Sequence, residues 1–244
     1  MTRPAAWRGS DLVDRGRQVW RGLIDVLFPP RCGGCQAPSD GTLWCPACQA
    51  SLEYVGPPTC DRCGEPHTIG LCLHCRAQPL QIEAIHSAVI FQGQVRQAVH
   101  RFKYNRLASL AEPLGDLLVE SWRAHQLSAD WIVPVPLHAA RERERGYNQA
   151  NLLAQRLAHR VKVPVAPVAL KRTRLTATQM ELNAAQRKVN VAGAFALVDA
   201  RLRGGRIVII DDVCTTGATL DACAAALLTA GAASVVGLTV ARTP

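Results

Sequence analysis

The sequence predicts an α/β protein, a mostly parallel sheet flanked by helices, with a small cysteine-rich module in front of it. Three observations predict this. From residue 82 onward, segments of strand character alternate with segments of helical spacing, the order that builds a parallel sheet covered by helices. Residues 207–210 form an unbroken β-branched run, as a central strand buried on both faces requires. Eight of the ten cysteines lie between Cys32 and Cys75, outside that alternation.

The elements follow in order. In residues 1–30, Leu12, Val13, Val19, Trp20, Leu23, Ile24, Leu27 and Phe28 recur largely at three- and four-residue spacing, which predicts an amphipathic helix. Pro29 and Pro30 stop it. Its arginines Arg15, Arg17 and Arg21 suit either packing on the protein itself or contact with an acidic membrane surface or a DNA-uptake assembly. Residues 31–76 contain few aliphatic side chains and many turn formers, and a segment of about 40 residues of that kind needs a staple to fold. Residues 76–80 read as the linker to a domain spanning 82–244. Within it, strands are expected at 88–91, 131–135, 165–170, 194–198, 207–210 and 234–240. Helices are expected at 110–125, 149–160 and 220–230, the last stopped by Gly231.

With 244 residues the chain has room for one or two domains. No apolar run approaches the roughly 18 residues that span a bilayer. The first ten residues lack the apolar core of a secretion signal. A cytoplasmic location is therefore expected, and with it reduced thiols. The formal net charge is +9, and residues 141–188 alone carry eleven Lys or Arg against three Glu. That concentration points to an anionic partner, a polyphosphate or a nucleic acid, or to a basic solvated face.

The cysteines are spaced Cys32-x2-Cys35-x9-Cys45-x2-Cys48 and then Cys60-x2-Cys63-x8-Cys72-x2-Cys75. Each CxxC turn offers two thiolates to one side, and two such turns complete a tetrahedral all-cysteine zinc site. Four turns imply two zinc ions. Sequential pairing of the turns is preferred, with interleaved pairing left open. Four thiolates leave no open position, so the zinc is expected to be structural. His67 and His74 are expected to be bystanders.

At residues 207–219 the sequence runs Ile-Val-Ile-Ile-Asp-Asp-Val-Cys-Thr-Thr-Gly-Ala-Thr. An apolar strand delivers Asp211 and Asp212 to its C-terminal end, where open α/β sheets bind ligands. A turn with hydroxyls and Gly217 follows, then a helix begins. Backbone N–H groups there form an anion cradle, and a glycine lets the backbone approach a phosphate. The carboxylates suit ribose hydroxyls, or a magnesium ion carrying a pyrophosphate. Cys214, within the loop, has no base beside it in sequence and is read as passive. Cys223 is read as core.

This thirteen-residue pattern resembles the signature of the type I phosphoribosyltransferases. The resemblance implies that fold, with Asp211 and Asp212 on the ribose and Thr215, Thr216, Gly217, Ala218 and Thr219 on the 5-phosphate of phosphoribosyl pyrophosphate. Three further stretches are similar to one subgroup, the ComF family. They are Phe102-Lys103-Tyr104-Asn105-Arg106, the run Val133-Pro134-Val135-Pro136-Leu137-His138 with Arg141, Arg145, Gly146, Tyr147, Asn148 and Gln149, and Arg172-Thr173 with Gln179, Leu182, Arg187 and Asn190. The cysteine region resembles the double zinc ribbon found in that family. By position, Lys103, Arg145, Arg172 and Arg187 are the cations expected at the pyrophosphate. No role is assigned to His138. Tyr104 and Tyr147, interleaved with cations, suit stacking on single-stranded DNA bases, and suit packing at the sheet edge nearly as well. The resemblance implies a protein that binds phosphoribosyl pyrophosphate and acts in DNA uptake or DNA use. The alternative is an active transferase that joins ribose 5-phosphate to a base or amine.

Overall fold

A computed structural model of the protein describes residues 31–39, 42–173 and 194–244. The expected helix in residues 1–30 lies outside them, as do Arg187, Gln179, Leu182 and Asn190. Among the described residues, strands β1 (Ala84–Ile90), β2 (Trp131–Pro134), β5 (Arg206–Cys214) and β6 (Ser234–Arg242) form one parallel sheet in the order β1-β6-β5-β2. Two short strands, β3 (Leu170–Arg172) and β4 (Phe195–Leu197), pair antiparallel beside it. The helices are α1 (Pro46–Ala50), α2 (Leu73–Ala77), α3 (Gly93–Tyr104), α4 (Ala111–Ala124), α5 (Ala139–Arg145), α6 (Gln149–Val161) and α7 (Ala218–Thr229).

The β-branched run of β5 explains the three layers. Val208 and Ile210 face a core with Val99 and Phe102 of α3, Leu114 and Leu118 of α4, and Leu153 and Leu157 of α6. Ile207 and Ile209 face the opposite core with Leu220, Ala224 and Leu227 of α7 and Leu170 and Phe195 of the β3–β4 pair. Successive strand residues point to opposite faces, so a strand covered on both sides has no place for a polar side chain until it passes the edge of its cover. Strand β5 runs four residues beyond Ile210. Asp211, Val213 and Cys214 still pair with Thr239, Ala241 and Arg242 of β6, so the turn is confined to residues 215–217.

Four helices were not expected from the sequence: the short α1 and α2 within the cysteine-rich segment, and α3 and α5. Helix α3 carries Val95, Ala98, Val99 and Phe102 on its buried side, the i, i+3, i+4, i+7 spacing of an amphipathic helix with basic residues on its outer face. Helix α5 buries no residue and has no periodicity to read. It is held at its ends: the His138 Nδ1 accepts from the Ala140 N–H at 3.2 Å, and Gly146 closes it with φ +87. The expected strand at 165–170 is reduced to a single bridge from Val165 to Ile132, and β3 begins at Leu170.

The cysteine-rich segment has no core of its own. Trp44, Cys48 and Leu52 join the core of α3, α4 and α6, while Cys60, Cys63, Cys72 and Cys75 join the core of α7. The Trp44 indole donates to the Pro113 carbonyl of α4 at 3.3 Å. Between the two cysteine sets, Tyr54 bridges Val89, the Val55 N–H donates to Ala88, and the Ile90 N–H donates to Glu53. The chain thus covers the free edge of β1, which would otherwise expose unpaired backbone groups. Because this segment shares the domain's core, Trp44→Ala is expected to lower the unfolding free energy of the whole chain by roughly 3–5 kcal/mol. A urea titration followed by far-ultraviolet circular dichroism measures it; an unchanged midpoint would show the two parts to be independent.

Candidate functional site

The carboxylates of β5 open into a cleft at the C-terminal ends of β5 and β2. Asp211, Asp212, Thr215, Gly217, Ala218 and Thr219 line it together with Lys103, Arg145 and Arg172. Six of the seven loop residues singled out from sequence therefore face one space with three of the four expected cations. Thr216 is not among the lining residues; its hydroxyl accepts from the Ala218 N–H at 3.4 Å and caps the turn. Arg141 also lines the cleft. It lies one helical turn before Arg145, and that i,i+4 relation could have marked it.

Gly217 is required twice over. Its φ is +79, and a Cβ there would come within 2.7 Å of the Ile85 side chain. The residue ends the turn and starts α7, whose first residues Ala218 and Thr219 line the cleft. Such a terminus favours anions.

The two carboxylates differ. Asp212 is buried and ion-paired with Lys103, Nζ to Oδ1 at 2.8 Å. Asp211 accepts from the Asp212 N–H at 2.8 Å through Oδ1. Burial, and then the neighbouring Asp212 charge, pushes its carboxyl up to about 7, against the pull of Lys103. Across the cleft, burial and then the Arg141 charge lower the Arg172 guanidinium. Arg172 lies over the Phe195 ring, and Arg145 lies 5.2 Å from the centroid of Tyr104. The Cys214 thiol is pushed up to about 11 by burial, which agrees with a passive residue and not a nucleophile.

The tyrosines separate. Tyr147 donates to the Phe102 carbonyl at 2.6 Å and packs on the Phe102 ring, so it fixes the end of α3. Tyr104 is 53% exposed at the cleft rim, between His100 and Arg145. Asn148 caps α6 by accepting from Ala150 and donates to the Val135 carbonyl, tying the helix to the strand end.

The cysteines gather as two sets, Cys32, Cys35, Cys45, Cys48 and Cys60, Cys63, Cys72, Cys75, with sulfurs within 4.8 Å of one another. This is the sequential pairing. Four thiolates at about 2.3 Å from one ion sit about 3.8 Å apart; Cys35 and Cys45 are 3.8 Å apart and Cys63 and Cys72 3.6 Å. The sets fit two closed zinc sites, and His67 and His74 belong to neither. Among the described residues no other group of three or more possible ligands occurs.

A double zinc ribbon in front of a phosphoribosyltransferase-type domain is the class that fold and site define. The pattern of the double zinc ribbon domain matches residues 23–77, and that of the phosphoribosyl transferase domain matches residues 144–243. The chain is 34% identical to the DNA utilization protein YhgH of Salmonella typhi, over 86% of this chain and 96% of that protein. It is 30% identical to competence protein F of Haemophilus influenzae over 82% and 85%, and 28% identical to competence protein ComFC of Bacillus subtilis over 81% and 83%. The chain belongs to the ComF family of competence and DNA-utilization proteins. Among solved structures, a purine phosphoribosyltransferase from Pyrococcus horikoshii aligns at TM-score 0.35 and 18% identity, covering 54% of this chain and 82% of that one.

The raised Asp211 carboxyl has a consequence for stability. A group whose folded pKa lies above its unfolded value near 3.9 stabilises fully below that value and loses its contribution as pH rises through about 7. Asp211→Asn keeps the acceptor for Asp212 and removes the charge. The variant is expected to be more stable than the parent by roughly 2 kcal/mol at pH 8, with little difference at pH 4. Urea unfolding of the ligand-free proteins at the two pH values checks this; an equal difference at both would exclude the carboxyl as its source.

Proposed function

We propose that the cleft binds phosphoribosyl pyrophosphate, and that the protein acts through it in DNA uptake or DNA use in the cytoplasm, with single-stranded DNA as a second partner. The observation that carries the reading is the shared lining. Two carboxylates, a glycine turn and a helix N-terminus line one cleft together with Lys103, Arg145 and Arg172, and Lys103 is paired with Asp212. A phosphorylated sugar needs both halves: acceptors for ribose hydroxyls and donors for phosphate.

In this reading Asp211 and Asp212 accept from the ribose hydroxyls, and Thr215, Gly217, Ala218 and Thr219 surround the 5-phosphate, while Thr216, assigned there from the sequence, holds the turn. Lys103, Arg145 and Arg172 meet the pyrophosphate. Arg187 is assigned there by resemblance alone, since it lies outside the described residues. The mutual repulsion of Arg141 and Arg172 is relieved by a bound anion. Magnesium keeps most of its waters and binds phosphate oxygens with one or two carboxylates. It would therefore enter with the pyrophosphate, where it neutralises charge; Asp211, not committed to Lys103, is the carboxylate suited to it. Transfer of the ribose phosphate to a base or amine is the second reading, and the match to the phosphoribosyl transferase domain favours it.

The DNA reading draws on the relatives' names and on α3. Arg96, His100 and Arg101 line a shallow depression on that helix, and Tyr104 is exposed at its end beside the cleft. Cations tracking a backbone and an aromatic ring for stacking are what unspecific single-strand binding uses.

Labelled phosphoribosyl pyrophosphate is expected to bind the wild type with magnesium, and Asp211→Ala and Asp212→Ala to weaken it at least about tenfold, one good charge-assisted contact or more. Unchanged affinity in both variants would refute the site. Pyrophosphate release with an identified acceptor would move the conclusion to the second reading. Single-stranded DNA is expected to bind in a salt-sensitive manner, and Tyr104→Ala to weaken it by about 1–3 kcal/mol. Fluorescence anisotropy at several salt concentrations measures this, and binding indifferent to both salt and Tyr104 would overturn the DNA reading.

A further inference from the structure

Arg242 is the last residue of β6 and is only 4% exposed. Its Nη1 donates to the Cys63 carbonyl at 2.6 Å and lies 3.3 Å from the Cys214 sulfur; its Nη2 lies 3.4 Å from the Cys63 sulfur. One guanidinium therefore touches a residue of the second cysteine set and Cys214, the last residue of β5, from which the loop of residues 215–217 departs. The nearest carboxylate, Glu65, is half-exposed and 3.8 Å away, too long for a charge-assisted hydrogen bond. A buried cation is costly unless an anion compensates it. Four thiolates around one zinc ion carry two net negative charges, and N–H donors to ligating atoms orient such centres. With zinc bound, the second cysteine set would supply the counter-charge of Arg242.

Two further ties run along the same line. The turn of the second ribbon is pressed onto β1: a Cβ on Gly64 would fall 2.3 Å from the Ile85 carbonyl, and the Ile85 N–H donates to the Arg62 carbonyl at 2.8 Å. On its other side Ile85 packs against Gly217. The linker is pinned to the first turn of α7, where Asp221 accepts from the N–H groups of Gln81 and Ile82 at 2.6 and 3.0 Å.

We propose that Arg242 is a positioning residue through which the second zinc centre holds the ribose-phosphate loop, so that metal retention at that centre and ligand binding in the cleft are linked. Among the described residues the first set has no such tie to the loop: it packs on α3 and α4, and the arginine that meets it, Arg101 of α3, donates to the Gly34 carbonyl. Linkage is reciprocal. A ligand that orders the loop slows zinc loss from the second centre, and a loop freed from Arg242 no longer senses the metal. The ligand half of this statement rests on the reading of the cleft as a ribose-phosphate site; the loop half does not.

Hydrogen exchange on the full chain tests the loop half. In Arg242→Met with both zinc ions retained by metal analysis, amides of residues 214–219 are expected to exchange about tenfold faster than in the wild type, within the coupling usual between linked sites. Arg242→Lys, which keeps the charge without the fork, is expected to recover part of the protection. Cys72→Ser, lacking the second centre, is expected to match Arg242→Met at the loop, and Cys45→Ser, lacking the first, to leave the loop within twofold of wild type. Loop exchange unchanged in Arg242→Met, or raised equally throughout the sheet, overturns the proposal. For the ligand half, ribose 5-phosphate is expected to slow zinc transfer to a chromophoric chelator about tenfold for one of the two ions in the wild type and not in Arg242→Met. An equal slowing in both proteins overturns the linkage. If ribose 5-phosphate fails to bind the wild type, the reading of the cleft fails, and the exchange result alone decides the role of Arg242.

Discussion

Burial of β5 on both faces is the constraint from which the site follows. Ile207 and Ile209 face one core, and Val208 and Ile210 face the other. No carboxylate is tolerable along that stretch without a paired partner, so the acids begin where the cover ends. There Asp212 meets Lys103 from α3, and Asp211 carries a proton affinity raised by burial. The sheet order places β2 and β6 on either side of β5, and the cations therefore arrive from α3, α5 and β3, elements far apart in sequence. An anion site of this kind can be built only from the end of a strand that its neighbours enclose.

The cysteine-rich segment is not a module appended to a complete domain. In this protein its two sets contribute to two different cores, one on each face of the sheet, and the chain between them covers the edge of β1. The segment has too few aliphatic side chains to bury a core of its own, so the metal-binding turns substitute for one and borrow apolar surface from the sheet. Gly64 and Gly217 mark how tightly the borrowed contacts close: Ile85 lies against both. The ribbons and the loop are then parts of one packed structure.

The contrast between the two tyrosines shows how local chemistry is decided by packing. Both sit among cations in sequence. Tyr147 donates to a backbone carbonyl and is half-buried, while Tyr104 remains at the rim between His100 and Arg145. His138, without a role in the sequence, caps α5, and Gly146 closes it. That helix presents Arg141 and Arg145 to the cleft although it buries nothing.

By itself the sequence determined the class of fold, the central strand, the turn and helix that follow its two acids, and the grouping of eight cysteines. Each of these is written in residues close together, as a run, a spacing or a turn, and short-range geometry is what periodicity and motif record. It also named three of the cations now facing the loop, because they lie in stretches resembling a family. The tertiary structure decided the rest. Helix α5 has end caps and no apolar stripe, so no period revealed it. The continuation of β5 to Cys214 depends on pairing with β6, which only the sheet supplies. Sequential ligation of the cysteines, the divided roles of Asp211 and Asp212, and the place of Arg242 between Cys63 and Cys214 all rest on contacts between distant segments. Arg242 is separated from Cys63 by 179 positions; what makes it a bridge is burial beside an anionic centre, a property of the packed fold and not of any stretch of chain.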